Sequence, residues 1–332
     1  MIEVTELVKR YGSHTAVDGL SFTIEDGKIY GLLGPNGAGK TTTMNILTGY
    51  LCANEGTVSV NGYDVLKQPE KAKAQIGYLP EIPPLYEDMT VREYLEFVCE
   101  LKKVSREQVL PEVERVSKKT GTDTVLDRLI RNLSKGFKQR IGIAQALIGS
   151  PDVIILDEPT VGLDPLQIIE IRDLIRELKG EHTVILSSHI LSEVSAVCDE
   201  ILIISKGKLV AKDTAENLSS LSTDRRELHV TVKGSSKQAE SVVDGLSGIA
   251  SYTVTDCEAG ADLVITQDED ADIREDLFYR LADAKLPILS MHQTHASLEE
   301  VFIELTTEEA KEAKDAGPQE EKEKEGKEDE RS

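Results

Sequence analysis

No stretch constrains this chain more than the eight residues Gly34-Pro35-Asn36-Gly37-Ala38-Gly39-Lys40-Thr41. They fit the pattern G-x-x-x-x-G-K-[ST] and lie between the apolar run K-I-Y-G-L-L and the stretch T-T-M-N-I-L. A strand is therefore expected to enter the loop and a helix to leave it. Glycines at these spacings let backbone N–H groups curl around a phosphate, and the N-terminus of the following helix adds positive potential. Lys40 is placed to bridge phosphates and the Thr41 hydroxyl to ligate Mg²⁺. The expected phosphate-binding set is Gly34, Pro35, Asn36, Gly37, Ala38, Gly39, Lys40, Thr41 and Thr42.

A loop of this kind needs acidic residues on the same edge of a sheet. The run Val153-Ile154-Ile155-Leu156 has the continuous apolar character of a strand buried on both faces, and it ends in Asp157-Glu158. Open α/β sheets bind their ligands at the C-terminal ends of strands, so this pair divides naturally into a Mg²⁺-shell residue, Asp157, and a general base for water, Glu158. A second buried strand, T-V-I-L-S-S, begins at Thr183. Between the two, Asp164 caps a helix with Pro165 in its first turn, an apolar stripe of Ile168, Ile171, Ile175 and Leu178, and Gly180 beyond its end. Strand, helix, strand is the parallel crossover unit.

Upstream, alternation in I-E-V-T-E-L-V, L-S-F-T-I and T-V-S-V-N-G predicts a sheet-rich opening. From Thr90, the spacing of Val91, Tyr94, Leu95, Val98 and Leu101 predicts a helix, and a second one follows Ser105. From about Asn217 the polar N-L-S-S-L-S-T-D reads as a linker. It leads to strand 227–233, helix 235–246, strands near 250 and 263, helix 272–284 and strand 287–293, the βαββαβ order of a ferredoxin-like domain. The stretch S-L-E-E-V-F-I-E-L from Ser297 is expected to form a short closing helix, with Glu300 placed for a capping box. After Thr307 the composition lacks aromatic and β-branched residues, so 306–332 is expected to be a disordered tail.

Composition sets outer limits. With 332 residues the chain holds two domains without help from disulfides, and Cys52, Cys99, Cys198 and Cys257 show no C-x-x-C pair, so they are expected to be reduced, mostly buried thiols. The longest purely aliphatic runs, 153–156 and 201–204, are four residues each against the ~20 of a spanning helix, so a membrane role must come through a partner. Glu3 and Glu6 interrupt any apolar leader at the start, which makes the cytoplasm the expected compartment. A net charge of −22, most of it after residue 218, argues against nucleic acid as a partner. One basic patch stands out: Arg128, Arg131, Lys135, Lys138 and Arg140.

The order of motifs carries a family resemblance. After the phosphate loop come Leu133-Ser134-Lys135-Gly136-Phe137-Lys138-Gln139-Arg140, the strand with Asp157-Glu158, the turn Gly162-Leu163-Asp164-Pro165 and Ser188-His189. Over about residues 1–218 this resembles the ATP-binding cassette (ABC) ATPases. The resemblance implies ATP with Mg²⁺ as cofactors and a head-to-tail dimer, homomeric or heteromeric, sandwiching two ATP. It implies that Tyr11 stacks on adenine and that Ser134 and Gly136 of one subunit face the phosphate loop of the other. It also implies that His189 senses the γ-phosphate, and that Glu81, in I-G-Y-L-P-E where the family usually carries glutamine, reaches the metal. The signature departs from the usual L-S-G-G-Q at Lys135 and Phe137.

The expected architecture is therefore α/β: a P-loop ABC ATPase domain over 1–218 with a mixed sheet core and a helical subdomain at about 86–150, then a ferredoxin-like α+β domain over 219–305 and the acidic tail. With its departures and appendage the chain looks most like bacterial export-type cassettes of the multidrug, antibiotic-resistance and gliding-motility kind. Such a subunit works on the inner face of the cell membrane and docks on a separate integral membrane permease through a surface near residues 82–94. Catalysis falls to Glu158 and His189, and the metal to Thr41, Glu81 and Asp157. The rival readings are a cassette acting on ribosomes or DNA, disfavoured by the single phosphate loop and the acidity, and a nucleotide-gated regulator not coupled to transport, disfavoured by Glu158 and His189.

Overall fold

The computed structural model describes residues 1–220, 227–268, 271–294 and Phe302. The chain divides into one compact unit over Met1–Ala215 and a second that begins at Glu216.

In the first unit the elements run β1 (Ile2–Tyr11), β2 (His14–Ile24), β3 (Ile29–Leu33), α1 (Lys40–Leu47), β4 (Glu55–Val60), β5 (Tyr63–Asp64), α2 (Pro69–Ala74), β6 (Ile76–Leu79), α3 (Val91–Leu101), α4 (Arg106–Thr120), α5 (Lys135–Leu147), β7 (Val153–Leu156), α6 (Pro165–Leu178), β8 (Thr183–Ser188), α7 (Leu191–Val197), β9 (Glu200–Ser205) and β10 (Lys208–Asp213). An antiparallel sheet has the order β2-β1-β4-β5; a second sheet has the order β10-β9-β3-β8-β7-β6 and is parallel except at its β10 edge. Every residue of β3, β7 and β8 is buried, as parallel strands covered on both faces require. One apolar core, with Ile2, Val4 and Leu20 from the first sheet, Ile155, Ile185 and Leu202 from the second and Met44 from α1, joins the two sheets.

Parallel registration decides where the loops meet. Leu33 pairs with Ser188 and Leu156 with Leu186, so β3, β8 and β7 end side by side. The loops that leave these three strands therefore emerge at one edge of the sheet.

The helical stretch follows its local signals. Thr90 and Glu93 form a capping box at the start of α3: the Glu93 N–H donates to Thr90 Oγ1 (3.2 Å) and the Thr90 N–H to Glu93 Oε2 (2.8 Å). Val91, Tyr94, Leu95 and Val98 are buried as their spacing requires, whereas Leu101, the last of the stripe, is 65% exposed where the helix ends. Lys102 donates to the carbonyls of Ala146 (3.1 Å) and Ile148 (2.7 Å), satisfying the C-terminal end of α5, and desolvation of its ammonium pulls its pKa down to about 8.

The second unit starts within α8 (Ala215–Ser220) and continues with β11 (Glu227–Val232), α9 (Ser236–Val243), β12 (Ile249–Cys257), β13 (Gly260–Gln267), α10 (Arg274–Asp283) and β14 (Ile288–Thr294). Its antiparallel sheet, β12-β13-β11-β14, is the ferredoxin-like order in which the first strand sits between the third and fourth. β11 and β13 alternate buried and half-buried positions, one face packing against Ala239, Val242, Val243, Leu277 and Leu281 of the two helices.

Two expectations need correction. The stretch from Asn217, read as the start of a linker, is still helical in α8, because Leu218 is fully buried and anchors the turn. Of the four thiols, all free, only Cys99 is buried; Cys52 lies exposed and Cys198 and Cys257 are half-buried. The closing helix expected from Ser297 lies outside the described residues apart from Phe302, and the tail 306–332 lies wholly outside them. Among the described residues no helix is long and apolar enough to cross a membrane.

Ile155 sits fully buried in the middle of β7, where its side chain joins both sheets. Ile155→Ala is expected to destabilise the first unit by about 2–5 kcal/mol, read from the shift of its urea unfolding midpoint; a shift within error of zero would contradict this packing.

Candidate functional site

The loop after β3 is shaped by what glycine alone tolerates. Gly39 has φ +104° and a side chain there would stand 2.4 Å from the Ala16 carbonyl; at Gly34 a Cβ would meet the Ile204 carbonyl at 2.3 Å. The loop closes on itself through Ala38 N–H to the Pro35 carbonyl (3.1 Å) and is tied to the sheet by Gly207 N–H to the Ala38 carbonyl (2.9 Å). Helix α1 starts directly from it, with the Thr43 N–H and hydroxyl both donating to the Gly39 carbonyl at 2.9 Å. Lys40 is 6% exposed; its Nζ donates to the carbonyls of Gly34 (2.8 Å) and Pro35 (3.4 Å) and stands 3.9 Å from Glu158 Oε1. Burial lowers its pKa, while the carboxylates of Glu158, Asp157 and Glu81 pull the other way.

A cavity of about 450 Å³ opens over this loop. Its wall brings together Tyr11, Asn36, Gly37, Gly39, Lys40, Thr41, Thr42, Glu81, Glu158 and His189 from the sequence-predicted set, with His14, Ala16 and Val161 added. Gly34, Pro35 and Ala38 belong to the loop without lining the cavity. Tyr11, at the end of β1, is 47% exposed, with the Lys9 ammonium 5.3 Å from its ring centre. Glu81 is exposed on the wall.

Asp157 and Glu158 have different environments although they are neighbours. Asp157 is 1% exposed; its Oδ1 accepts from the Ser187 hydroxyl at 2.5 Å, and its Oδ2 is buried without a hydrogen-bond partner among the described residues. Burial raises its pKa against the Ser187 and Thr41 hydroxyls, which favour the charged form. Glu158 turns the chain sharply, with φ +48° in the left-handed region, where a side chain costs about 1–2 kcal/mol. Its N–H donates to Ser187 Oγ (2.9 Å), which holds this turn, and its Oε2 lies 2.9 Å from His189 Nδ1. Ser187 therefore serves both acids at once. Sequence reasoning used T-V-I-L-S-S as a strand and missed this serine, although a hydroxyl ending a buried apolar run is the available signal.

Ser134 and Gly136 lie apart from this cavity. Ser134 caps α5, accepting the Phe137 N–H at 3.4 Å, and Gly136 is buried where a Cβ would meet Gln167 Cδ at 2.7 Å. Asp164 caps α6 through the Gln167 N–H (3.0 Å). The basic patch is largely neutralised: Arg131 pairs with Asp88 (3.0 Å), Lys138 with Glu87 (2.6 Å) and Arg140 with Glu170 (2.5 Å), and Arg128 donates to the Asn132 carbonyl (3.3 Å). Lys135 has no carboxylate partner among the described residues; its ammonium rests against the Cα side of Gly162, where a Cβ would stand 2.3 Å from it.

Fold and loop together define a P-loop nucleotide-binding domain of the ABC ATPase kind. The ABC transporter family matches residues 17–161, and relatives match far more of the chain, which belongs to this family as an ABC transporter ATP-binding protein. It is 34% identical to the uncharacterized ABC transporter ATP-binding protein YhcH of Bacillus subtilis over 319 residues, 95% of this chain and 99% of that one. It is 32% identical to the linearmycin resistance ATP-binding protein LnrL of the same organism, over 92% of this chain and 98% of the relative. Among solved structures, an ATP-binding subunit of an ABC transporter superposes with a TM-score of 0.61 at 31% identity, covering 67% of this chain and 92% of that one.

The constraint at Gly39 is directly testable. Gly39→Ala is expected to weaken binding of a fluorescent ATP analogue at least about tenfold, with the circular dichroism spectrum retained; unchanged affinity would show that the cradle tolerates a side chain.

Proposed function

We propose that this chain is the ATP-hydrolysing subunit that powers export of a substrate through a separate integral membrane permease. The observation that carries the reading is the position of Glu158: a carboxylate in a strained turn at the mouth of the phosphate cradle, 2.9 Å from His189 and 3.9 Å from Lys40. A general base needs an aimed, hydrogen-bonded carboxylate beside the site of attack. The Gly34–Thr42 segment holds the phosphates through backbone N–H groups, and Lys40 exchanges the Gly34 and Pro35 carbonyls for phosphate oxygens. Glu158 orients and deprotonates the attacking water, and His189 keeps that carboxylate aimed and reads the γ-phosphate. Tyr11 offers its exposed ring to the adenine.

The residues present fit Mg²⁺. The unpartnered Asp157 Oδ2, the Thr41 hydroxyl and the exposed Glu81 carboxylate are hard oxygen donors beside a phosphate cradle. Bound there, Mg²⁺ neutralises charge that develops on the phosphates. Among the described residues no group of three or more His, Cys, Asp or Glu is arranged to hold a metal by itself.

Ser134, exposed at the N-terminus of α5 away from the cavity and backed by Gly136 in the first turn, is placed to meet the γ-phosphate of a second ATPase subunit, identical or related. Export is supported by the linearmycin resistance relative, which covers both units of this chain. A permease at the inner face of the membrane would meet the surface around Ile82, which is 82% exposed, and Tyr86, packed edge-on against Tyr94 and Phe97. ATP-driven closure of the dimer and reopening after hydrolysis then move the permease between its states.

Glu158→Gln is expected to bind ATP normally and lose at least about two orders of magnitude in phosphate release. In the same variant, light scattering is expected to report ATP-dependent association. Unchanged turnover would remove Glu158 from the reaction, and scattering insensitive to nucleotide would remove the dimer.

A further inference from the structure

Glu193, in the first turn of α7, is a carboxylate only 7% exposed, with no lysine, arginine or histidine paired to it among the described residues. A buried acid without a cation is costly unless hydroxyl or amide donors take its lone pairs. Here the donors come from two separate chain segments and reach the same oxygen: Thr160 Oγ1 donates to Glu193 Oε2 at 2.5 Å and Ser188 Oγ donates to it at 3.3 Å. Ser188 Oγ also accepts the Ile190 N–H at 3.0 Å, which leaves its proton for Glu193.

The two donors flank the two side chains that face each other across the site. Thr160 is two residues beyond Glu158, and the turn between them is closed by the Val161 N–H on the Glu158 carbonyl (3.2 Å). Thr160 also opens the next turn, its carbonyl accepting from the Leu163 N–H (3.2 Å) ahead of Asp164. Ser188 immediately precedes His189. The 2.9 Å contact between Glu158 Oε2 and His189 Nδ1 thus joins two limbs that are stitched together a second time, behind the site, by one carboxylate oxygen. Glu158 is buried but held in the left-handed region, and His189 is 41% exposed, so the histidine has little packing of its own to set its position against Glu158.

We propose that Glu193 is a positioning residue for hydrolysis: it clamps Thr160 to Ser188 and so sets the geometry of the Glu158–His189 pair. The proposal rests on Glu158 acting as the base, as given under the proposed function. What the clamp needs at residue 193 is an acceptor oxygen in place, rather than a negative charge, because both donors use Oε2. Glutamine offers the same oxygen with two lone pairs.

Turnover and affinity separate this role from a general structural one. With purified full-length protein, Glu193→Ala is expected to lower kcat for ATP hydrolysis at least about tenfold while the Kd for a fluorescent ATP analogue stays within about threefold, because the phosphate loop is untouched. Glu193→Gln is expected to recover most of that loss. Thr160→Val, which removes one donor without touching residue 193, is expected to lower kcat in the same direction, and Thr160→Val with Glu193→Ala to lose no more than Glu193→Ala alone. In the Glu158→Gln background, Glu193→Ala is expected to have no further effect on turnover. Kd rising in step with the loss of kcat, glutamine failing to rescue, or losses that multiply in the Glu158→Gln background would each overturn the clamp. If Glu193→Ala fails to fold, Thr160→Val and Glu193→Gln decide alone: full activity in Thr160→Val, or none in Glu193→Gln, overturns it. Full turnover in Glu158→Gln by itself would instead overturn the assignment of the base.

Discussion

The parallel pairing of β3, β8 and β7 is the constraint on which the site depends. Because Leu33 pairs with Ser188 and Leu156 with Leu186, the glycine loop, the Asp157-Glu158 pair and the Ser188-His189 turn leave the sheet at one edge within reach of each other. A one-residue slip in any of these pairings would turn the side chains of that strand to the opposite face and remove its polar end from the cavity. Complete burial of the three strands specifies the register, since each apolar residue has a place in the core on one face or the other.

Electrostatics at that edge are set by desolvation as much as by charge. Lys40 is nearly buried and held by two backbone carbonyls, and Asp157 is fully enclosed with one oxygen unpartnered. Both are disfavoured in their charged forms by burial, as their pKa directions show. Groups held this way interact strongly with a polyanionic ligand and its cation, because little water screens them. Strain has the same location: Glu158 takes a left-handed backbone that the Ser187 hydroxyl supports from behind.

Around this edge the polar side chains of β8 and α7 form a supporting layer. Ser187 holds the side chain of Asp157 and the backbone of Glu158, while Ser188 and Thr160 converge on Glu193. Away from it, the basic stretch near α5 is spent on ion pairs with Glu87, Asp88 and Glu170, which brace the helical subdomain, leaving Lys135 against Gly162. The basic patch that stands out in the sequence is thus mostly engaged in ion pairs, because opposite charges from the 82–90 loop and α6 fold over it.

Much of the fold was legible along the chain because its signals are local. The glycine loop, the apolar runs of β7 and β8, the Asp164 cap with its proline, the Thr90 start of α3 and the βαββαβ order each declare themselves within a few residues, and Lys40 follows from the loop while Asp157, Glu158 and His189 follow from the strands they come after. What escaped was whatever needed a partner distant in sequence. Leu218 had to be seen buried before α8 displaced a linker; Ser187 and Glu193 had to be seen beside residues about 30 positions away before either had a role. Sequence by itself determined the family chemistry and the order of elements, since backbone propensity and side-chain period act over short spans. Tertiary structure alone decided which oxygen stays unpartnered, which cations are neutralised and which hydroxyls converge on Glu193, since hydrogen bonds and desolvation depend on distances that only the closed sheet supplies.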